Sequence, residues 1–245
     1  VGYHGYLDQV RPWLGAKRYH GSPLGEEIER CRLAIALARA GHRVALVSSG
    51  DAGIYGMAGL VFEVLAERGW RAAGSAPGAV HAFLRPPADE LAVEVVPGVS
   101  ALNACAALVG APLMNDFAAV SLSDHLTPWE VIARRLEAAA RGDFVIVLYN
   151  PASGRRTWQL AEACRLLRRH RDGTTPVAIV KSAFREGQDV RVTDLDHLPE
   201  EEVGMLTTII VGNSSTRRLG GLLITPRGYQ RKYRLAPPGA GEGGR

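Results

Sequence analysis

The chain has 245 residues, 47% of them hydrophobic and 22% charged, with a formal net charge of +4 and a pI near 9.1. That length carries one large domain or two modest ones, and its longest apolar runs have strand length rather than membrane length, so no membrane partner is expected. No aromatic-interleaved basic stripe accompanies the mild positive charge, which argues against nucleic acid, and no basic-then-apolar leader opens the sequence, so a cytoplasmic protein is expected.

In chain order, residues 44–48 read as a buried strand, and a glycine-rich turn leads from them into a helical pattern over 54–67. Residues 70–91 hold few periodic apolar positions and several prolines and glycines, the pattern of a long surface loop. A second strand over 93–96 passes through Pro97 and Gly98 into a small-residue helix over 100–109. Strands at 118–122 and 144–149 flank a helix over 128–140. Another helix covers 155–169, strands return at 177–181, 190–193 and 207–211, and the segment 221–229 is apolar before turning polar. This alternation with hydrophobic strands predicts an α/β fold. Strand signals crowded between 177 and 211 predict a mixed sheet in the later part. A boundary near 112–117 gives an N-terminal α/β domain over 1–112, a C-terminal α/β domain over 113–236 and a Pro/Gly-rich disordered tail over 237–245.

The three cysteines, Cys31, Cys105 and Cys164, lie far apart, and none falls in a CxxC or beside a histidine at ligand spacing. Zinc, an iron–sulfur cluster and a disulfide framework are therefore not expected, nor is any metal bound by the protein itself. Arg165, Arg168, Arg169 and Arg171 form the densest basic cluster, at the end of a helical pattern where cations suit the helix dipole. A small polycarboxylate substrate suits the overall charge as well.

The strongest local feature is the run from Ser48 to Gly56, SSGDAGIYG, placed after a strand and before a helix. Glycines there let the backbone turn sharply and approach a ligand, and ligands of open α/β sheets sit beyond the carboxyl ends of strands. It is neither GxGxxG nor a P-loop, so a phosphate cradle is disfavoured. The Asp51 carboxylate suits ribose hydroxyls or a cationic ligand, or equally a tight turn with a capping aspartate. Pro97-Gly98-Val99-Ser100-Ala101, Leu148-Tyr149-Asn150-Pro151 and Val211-Gly212-Asn213-Ser214-Ser215 punctuate three further strand ends in the same manner. Each alone has a turn explanation; together they suggest the rim of one cleft.

The segments SSGDAGIYGMAG (48–59), EVVPGVSALNACAALVGAPL (94–113), DFAAVSLSDHLTPWEVIARRLEAAARGDFVIVLYNP (116–151) and TTIIVGNSST (207–216) resemble, in order and spacing, the tetrapyrrole methylase superfamily. Its precorrin-3B C17-methyltransferase branch of cobalamin synthesis matches best, the pair LSDxLTPWE and LYNP being more discriminating than GDxG or PGVS. The resemblance implies two α/β domains with S-adenosylmethionine in a cleft between them, a tetrapyrrole substrate (precorrin-3B or cobalt-factor III) and a homodimer. It would place Gly50, Asp51 and Ile54 along the methionine and ribose side, and Ser100 and Ala101 at the methionine end. Tyr149 and Asn150 would flank the nucleoside, and Ala183 with the Gly212–Asn213 turn would close on the adenine. Relatives of this branch also contract the ring, which needs proton transfers; Asp116, Asp124 and His125 are the candidates. Asp124 also reads as a turn cap and His125 as a solvated side chain. Arg134 or Lys181 could meet substrate carboxylates or serve only in surface pairs.

Two departures accompany the match. Superfamily members usually open on a strand ending in a GxGPG-type turn ahead of the segment matching Val1-Gly2-Tyr3, and that strand is expected to be missing here. The branch commonly shows His-Asp-Phe where this chain has Asn115-Asp116-Phe117, and asparagine cannot shuttle a proton. A corrin methyltransferase of other regiospecificity, and a truncated, non-catalytic tetrapyrrole-binding paralogue, are the competing readings. A nucleotide-dependent dehydrogenase is opposed by the lack of GxGxxG.

Overall fold

A computed structural model describes residues 1–67 and 91–233. The expected loop over 70–91, apart from Leu91, and the expected tail over 237–245 lie outside the described residues. The chain divides into two compact units, Val1–Ser100 and Ala101–Arg245; the sequence-based boundary at 112/113 lies further along.

In the first unit, β1 (Gly2–Tyr3) runs straight into α1 (His4–Leu14), and β2 (Gly21–Ser22) pairs with β1 in parallel. Then come α2 (Glu27–Arg39) and α3 (Ala58–Glu67). Cys31 and Ile35 of α2 and Val64 and Leu65 of α3 form the buried centre, with Leu46, Leu60, Leu91 and Val93 packed against it. Arg30 of α2 is buried because Ser22 Oγ (2.8 Å) and the Pro23 carbonyl (2.7 Å) accept from its guanidinium. Neither α1 nor α2 is expected from the sequence. The strand expected over 44–48 shrinks to a single parallel bridge, Gly2 to Val47. No ladder is present over 93–96 among the described residues, where Val96 is 68% exposed. A strand exists only where a neighbour pairs with it, and apolar β-branched residues alone do not provide one.

The second unit starts with α4 (Ala101–Val109) and β3 (Gly110–Ala111) and continues through β4 (Phe117–Ser121), α5 (Trp129–Arg141), β5 (Val145–Tyr149) and α6 (Gln159–Leu167). It ends with β6 (Pro176–Lys181), β7 (Asp189–Asp194), β8 (Thr207–Val211), β9 (Arg217–Leu219), β10 (Leu222–Ile224) and α7 (Tyr229–Lys232). The main sheet has the order β4-β5-β8-β6-β7, with β4 parallel to β5 and the other pairs antiparallel. The mixed sheet read from the crowded strand signals is therefore present. Period-2 alternation splits its apolar residues between two faces. Ile146, Leu148, Ile179 and Ile209 point to one core with Ile132 and Leu136 of α5 and Leu160 and Leu167 of α6. Val145, Val147, Val180 and Ile210 point to the other, with Leu102, Cys105 and Val109 of α4. A smaller sheet, β3-β10-β9, adjoins α4 in sequence.

The end of α5 sets up one further feature. The Phe144 amide bonds to the Ala139 carbonyl and the Asp143 amide to that of Ala140, both at 3.1 Å, a Schellman closure with Asp143 in the left-handed position at φ 56°.

Candidate active site

In the first unit the loop after Val47 folds around the Asp51 carboxylate. One oxygen accepts from the Gly53 amide at 2.8 Å, the other from the Gly98 amide at 2.9 Å. Asp51 is thus a staple between the two glycine-bearing turns read from the sequence. The Gly98 amide, then that of Gly53, stabilise its charge and hold its pKa below the ordinary carboxylate value. Each oxygen keeps acceptor capacity beyond these bonds. A Cβ on Gly98 would stand 2.1 Å from the Gly50 carbonyl oxygen, so only glycine lets the turns approach this closely. Gly50 is left-handed at φ 68°, and so is the non-glycine Tyr55 at φ 52°. Ile54, whose amide bonds the Asp51 carbonyl at 3.2 Å, is partly exposed on this loop. Ser100 closes the unit and is buried.

In the second unit, strand direction decides which predicted residues can meet. β5 and β6 both run antiparallel to β8 and so point the same way, and β4 is parallel to β5. Tyr149 and Asn150 at the end of β5, Ala183 beyond β6, and Asp124 and His125 beyond β4 therefore gather at one end of the sheet. The Tyr149 hydroxyl accepts from the Leu102 amide at 2.8 Å, which brings the start of α4, with Ala101, to that same end. Asn150 Nδ2 donates to Ser121 Oγ at 3.0 Å, and Asp124 accepts from Gln159 Nε2 at 2.9 Å. His125, Arg134 and Lys181 are exposed. Asn150, Ser182 and Phe184 are all left-handed, at φ 52°, 49° and 56°. Non-glycine residues in that region store strain and concentrate at ligand sites.

Gly212 and Asn213 lie elsewhere. They follow β8, whose reversed direction carries them to the start of β5, where Asn213 Nδ2 donates to the Asp143 carbonyl at 3.0 Å. Their turn signal is real, but it serves the α5–β5 junction. Asp116 is at that far end too, since it precedes β4 and its carbonyl accepts from the Val145 amide at 3.1 Å. It lines a cavity of about 310 Å³ with Leu113, Met114, Asn115, Phe117, Phe144 and Arg227. The strand ends form two rims rather than one.

The arginine cluster is accounted for by ion pairs: Arg165 with Glu162, Arg168 with Asp196, Arg169 with Glu137 and Arg171 with Asp143. The cysteines are buried and unpaired, and burial raises each thiol, Cys31 to about 11 and Cys164 to about 12. Among the described residues no group of three or more His, Cys, Asp or Glu side chains is gathered as metal ligands.

The family profile of the Tetrapyrrole (Corrin/Porphyrin) Methylases matches residues 2–199. The chain belongs to this family. As a tetrapyrrole methylase it is 49% identical, over 96% of its length, to a cobalt-factor III methyltransferase of Priestia megaterium, of which it spans 41%. It is 45% identical, over 94% of its length, to a protein of Salmonella typhimurium named a probable cobalt-factor III C(17)-methyltransferase, of which it spans 87%. Among solved structures, that of the methyltransferase CobJ aligns with a TM-score of 0.78 at 33% identity, covering 92% of this methylase and 87% of that chain. A uroporphyrin-III C-methyl transferase from Thermus thermophilus, solved with S-adenosylhomocysteine, aligns with a TM-score of 0.54 at 26% identity, covering 81% and 77%.

Proposed function

We propose that this tetrapyrrole methylase transfers a methyl group from S-adenosylmethionine to C17 of cobalt-factor III or precorrin-3B, with ring contraction, in cobalamin biosynthesis. The observation that carries the reading is the gathering of Tyr149, Asn150, Ala183 and the start of α4 at one strained end of the second unit's sheet. The names of the relatives at 45–49% identity support the substrate and the position methylated.

When bound, the donor supplies a methyl on a sulfonium: the S–C bond breaks with its electrons left on sulfur as the new C–C bond forms. The protein's part is position, which in favourable cases accounts for about 7–11 kcal/mol of barrier. On the first unit, Gly50, Asp51 and Ile54 present an ionised carboxylate with spare acceptor capacity, suited to ribose hydroxyls or an ammonium group. In the second unit, Ala101, Tyr149, Asn150 and Ala183 form a platform suited to the donor, with Ser100 just ahead of α4. Gly212 and Asn213 are left out of it, being at the far end of the sheet. For the proton transfers of ring contraction, Asp124 and His125 share the platform's end, whereas Asp116 does not. The reading includes a homodimer in the cytoplasm, without nucleic-acid or membrane partners; no helix among the described residues is long and apolar enough to cross a membrane.

The test is calorimetric titration with S-adenosylhomocysteine, wild type beside Asp51→Ala. Binding that weakens in the variant, followed by methylation of cobalt-factor III by the wild type, is the expected result. Binding without any methyl transfer would favour a non-catalytic tetrapyrrole-binding protein, and a folded chain that binds no S-adenosylhomocysteine would end the methyltransferase reading.

A further inference from the structure

Among the described residues, three of the four arginines withdrawn from water stand beside an acid. Arg30 has Glu27, Arg171 has Asp143, and Arg191 has Asp189 and Glu201. Among the described residues Arg156 alone breaks that rule: it is half-buried and has no ion pair. Its Nη1 donates to Ser123 Oγ at a long 3.3 Å, and its Nε is shielded from water without a partner. A guanidinium is a planar fork of N–H donors shaped for carboxylates. Leaving that Nε–H shielded from water without an acceptor is unfavourable, and an anion on the fork would complete it.

The position is built rather than incidental. Reciprocal backbone bonds between Ser153 and Arg156, both 3.1 Å, close the loop after β5. That loop and the start of α6 are fastened to the segment between β4 and α5 by Gln159 to Asp124 at 2.9 Å and by Trp158 packed edge-on against Trp129 of α5, ring centroids 4.9 Å apart. Asp124, the acid closest in sequence to Ser123, is thereby engaged with Gln159. Ser123 is itself tied back to the platform through its backbone, since Ser121 Oγ accepts both from Asn150 Nδ2 at 3.0 Å and from the Ser123 amide at 3.2 Å. The same two loops carry Leu126, 91% exposed, and Trp158, 47% exposed. Loops that carry both exposed apolar side chains and an arginine without an ion pair match a ligand with an apolar body and a carboxylate rim.

We propose that Arg156 is the residue that receives a peripheral carboxylate of the tetrapyrrole and so fixes the macrocycle on the platform. This rests on the methyltransferase reading given above. The methionine end of the donor also carries a carboxylate, so the test separates the two sources. Arg156→Gln and Arg156→Lys, each first shown to melt cooperatively, are assayed for KM and kcat with cobalt-factor III and titrated with S-adenosylhomocysteine. Loss of a charge-assisted pair predicts a KM for the tetrapyrrole raised about 10- to 100-fold in Arg156→Gln. Arg156→Lys, which keeps the charge without the fork, recovers part of that. Neither variant changes kcat or the affinity for S-adenosylhomocysteine. Weaker S-adenosylhomocysteine binding with an unaltered tetrapyrrole KM would overturn the proposal in favour of the donor's carboxylate, and unaltered values of both would overturn it outright.

A measurement on the wild type guards against variants that fail to fold. Phenylglyoxal labelling of Arg156, read by mass spectrometry, should be blocked by the tetrapyrrole and not by S-adenosylhomocysteine; labelling that the tetrapyrrole leaves untouched overturns the assignment. A wild-type chain that binds no tetrapyrrole brings down both the methyltransferase reading and this proposal. Wild-type turnover beside an unimpaired Arg156→Gln brings down the proposal alone.

Discussion

Asp143 holds the left-handed position that ends α5, where glycine is the usual residue, and its carboxylate explains the exception. It accepts from the Ser214 amide at 3.0 Å and hydroxyl at 2.5 Å, and it pairs with Arg171. Asp143→Asn keeps the shape and tolerates the backbone, but removes the charge. Arg171, with its side chain 2% exposed, then keeps only neutral acceptors, the amide oxygen of the substituted side chain and the Phe144 carbonyl at 2.6 Å. Breaking a fully buried pair costs about 3–5 kcal/mol. The Asp143 side chain is 46% exposed, so water already screens one partner, and roughly half of that, about 2 kcal/mol, is expected. In a domain of this size the loss lowers Tm by about 4–8 °C. Burial opposes the Asp143 charge, but Ser214 and Arg171 outweigh it and hold the folded pKa below the ordinary value. The stabilisation is therefore complete above the unfolded value of about 3.9 and disappears as pH falls through the lower, folded one. Scanning calorimetry of wild type and variant should show a gap in Tm at neutral pH that closes in acid. An unchanged Tm at neutral pH, or a gap that acid leaves undiminished, refutes this electrostatic account.

Two further outcomes follow from the geometry. Gly98→Ala forces a methyl against the Gly50 carbonyl oxygen, 2.1 Å away before relaxation, and should separate the turns that Asp51 staples. Calorimetry should find S-adenosylhomocysteine bound at least about tenfold more weakly, a loss of roughly 1.4 kcal/mol, by a chain whose far-ultraviolet dichroism is unchanged; undiminished affinity would show that the close approach does not matter for the donor. The raised thiols of Cys31, Cys105 and Cys164 leave few thiolates at neutral pH, so disulfide-exchange labelling should wait on denaturant, and prompt labelling of the native chain would contradict their burial.

The sequence announces β5 and β8 because both are buried on each face and read as short runs of apolar and β-branched residues, VIVLY and TTIIV. It hides α1 and α2 for different reasons. Pro12 lies within α1, and α2 buries an arginine beside small residues instead of a broad apolar stripe. The turns at Asp51, Gly98 and Asn150 are legible from their Gly, Asp and Asn after apolar runs, although only the run before Asn150 forms a strand ladder. What the residues do not encode locally is strand direction. Gly212–Asn213 has the same punctuation as Tyr149–Asn150, yet the reversal of β8 sends the two turns to opposite ends of the sheet. Asp116, at the entrance to β4, is separated from Asp124 for the related reason that a strand lies between them. Arg156 gives no signal in sequence, because what sets it apart is the absence of an acid at its side, a property of three-dimensional neighbours.

The left-handed backbone at Tyr55, Asn150, Ser182 and Phe184 has a bearing on how this protein can be improved by laboratory evolution. Replacing such residues with glycine relieves the backbone, so a screen that rewards heat resistance alone will enrich changes at these positions. They sit on or beside the loops proposed above to hold the donor. Selection for robustness and selection for turnover therefore pull on the same few codons in opposite directions, and a library meant to keep the enzyme working should hold these four fixed while varying the helices that cover the sheet.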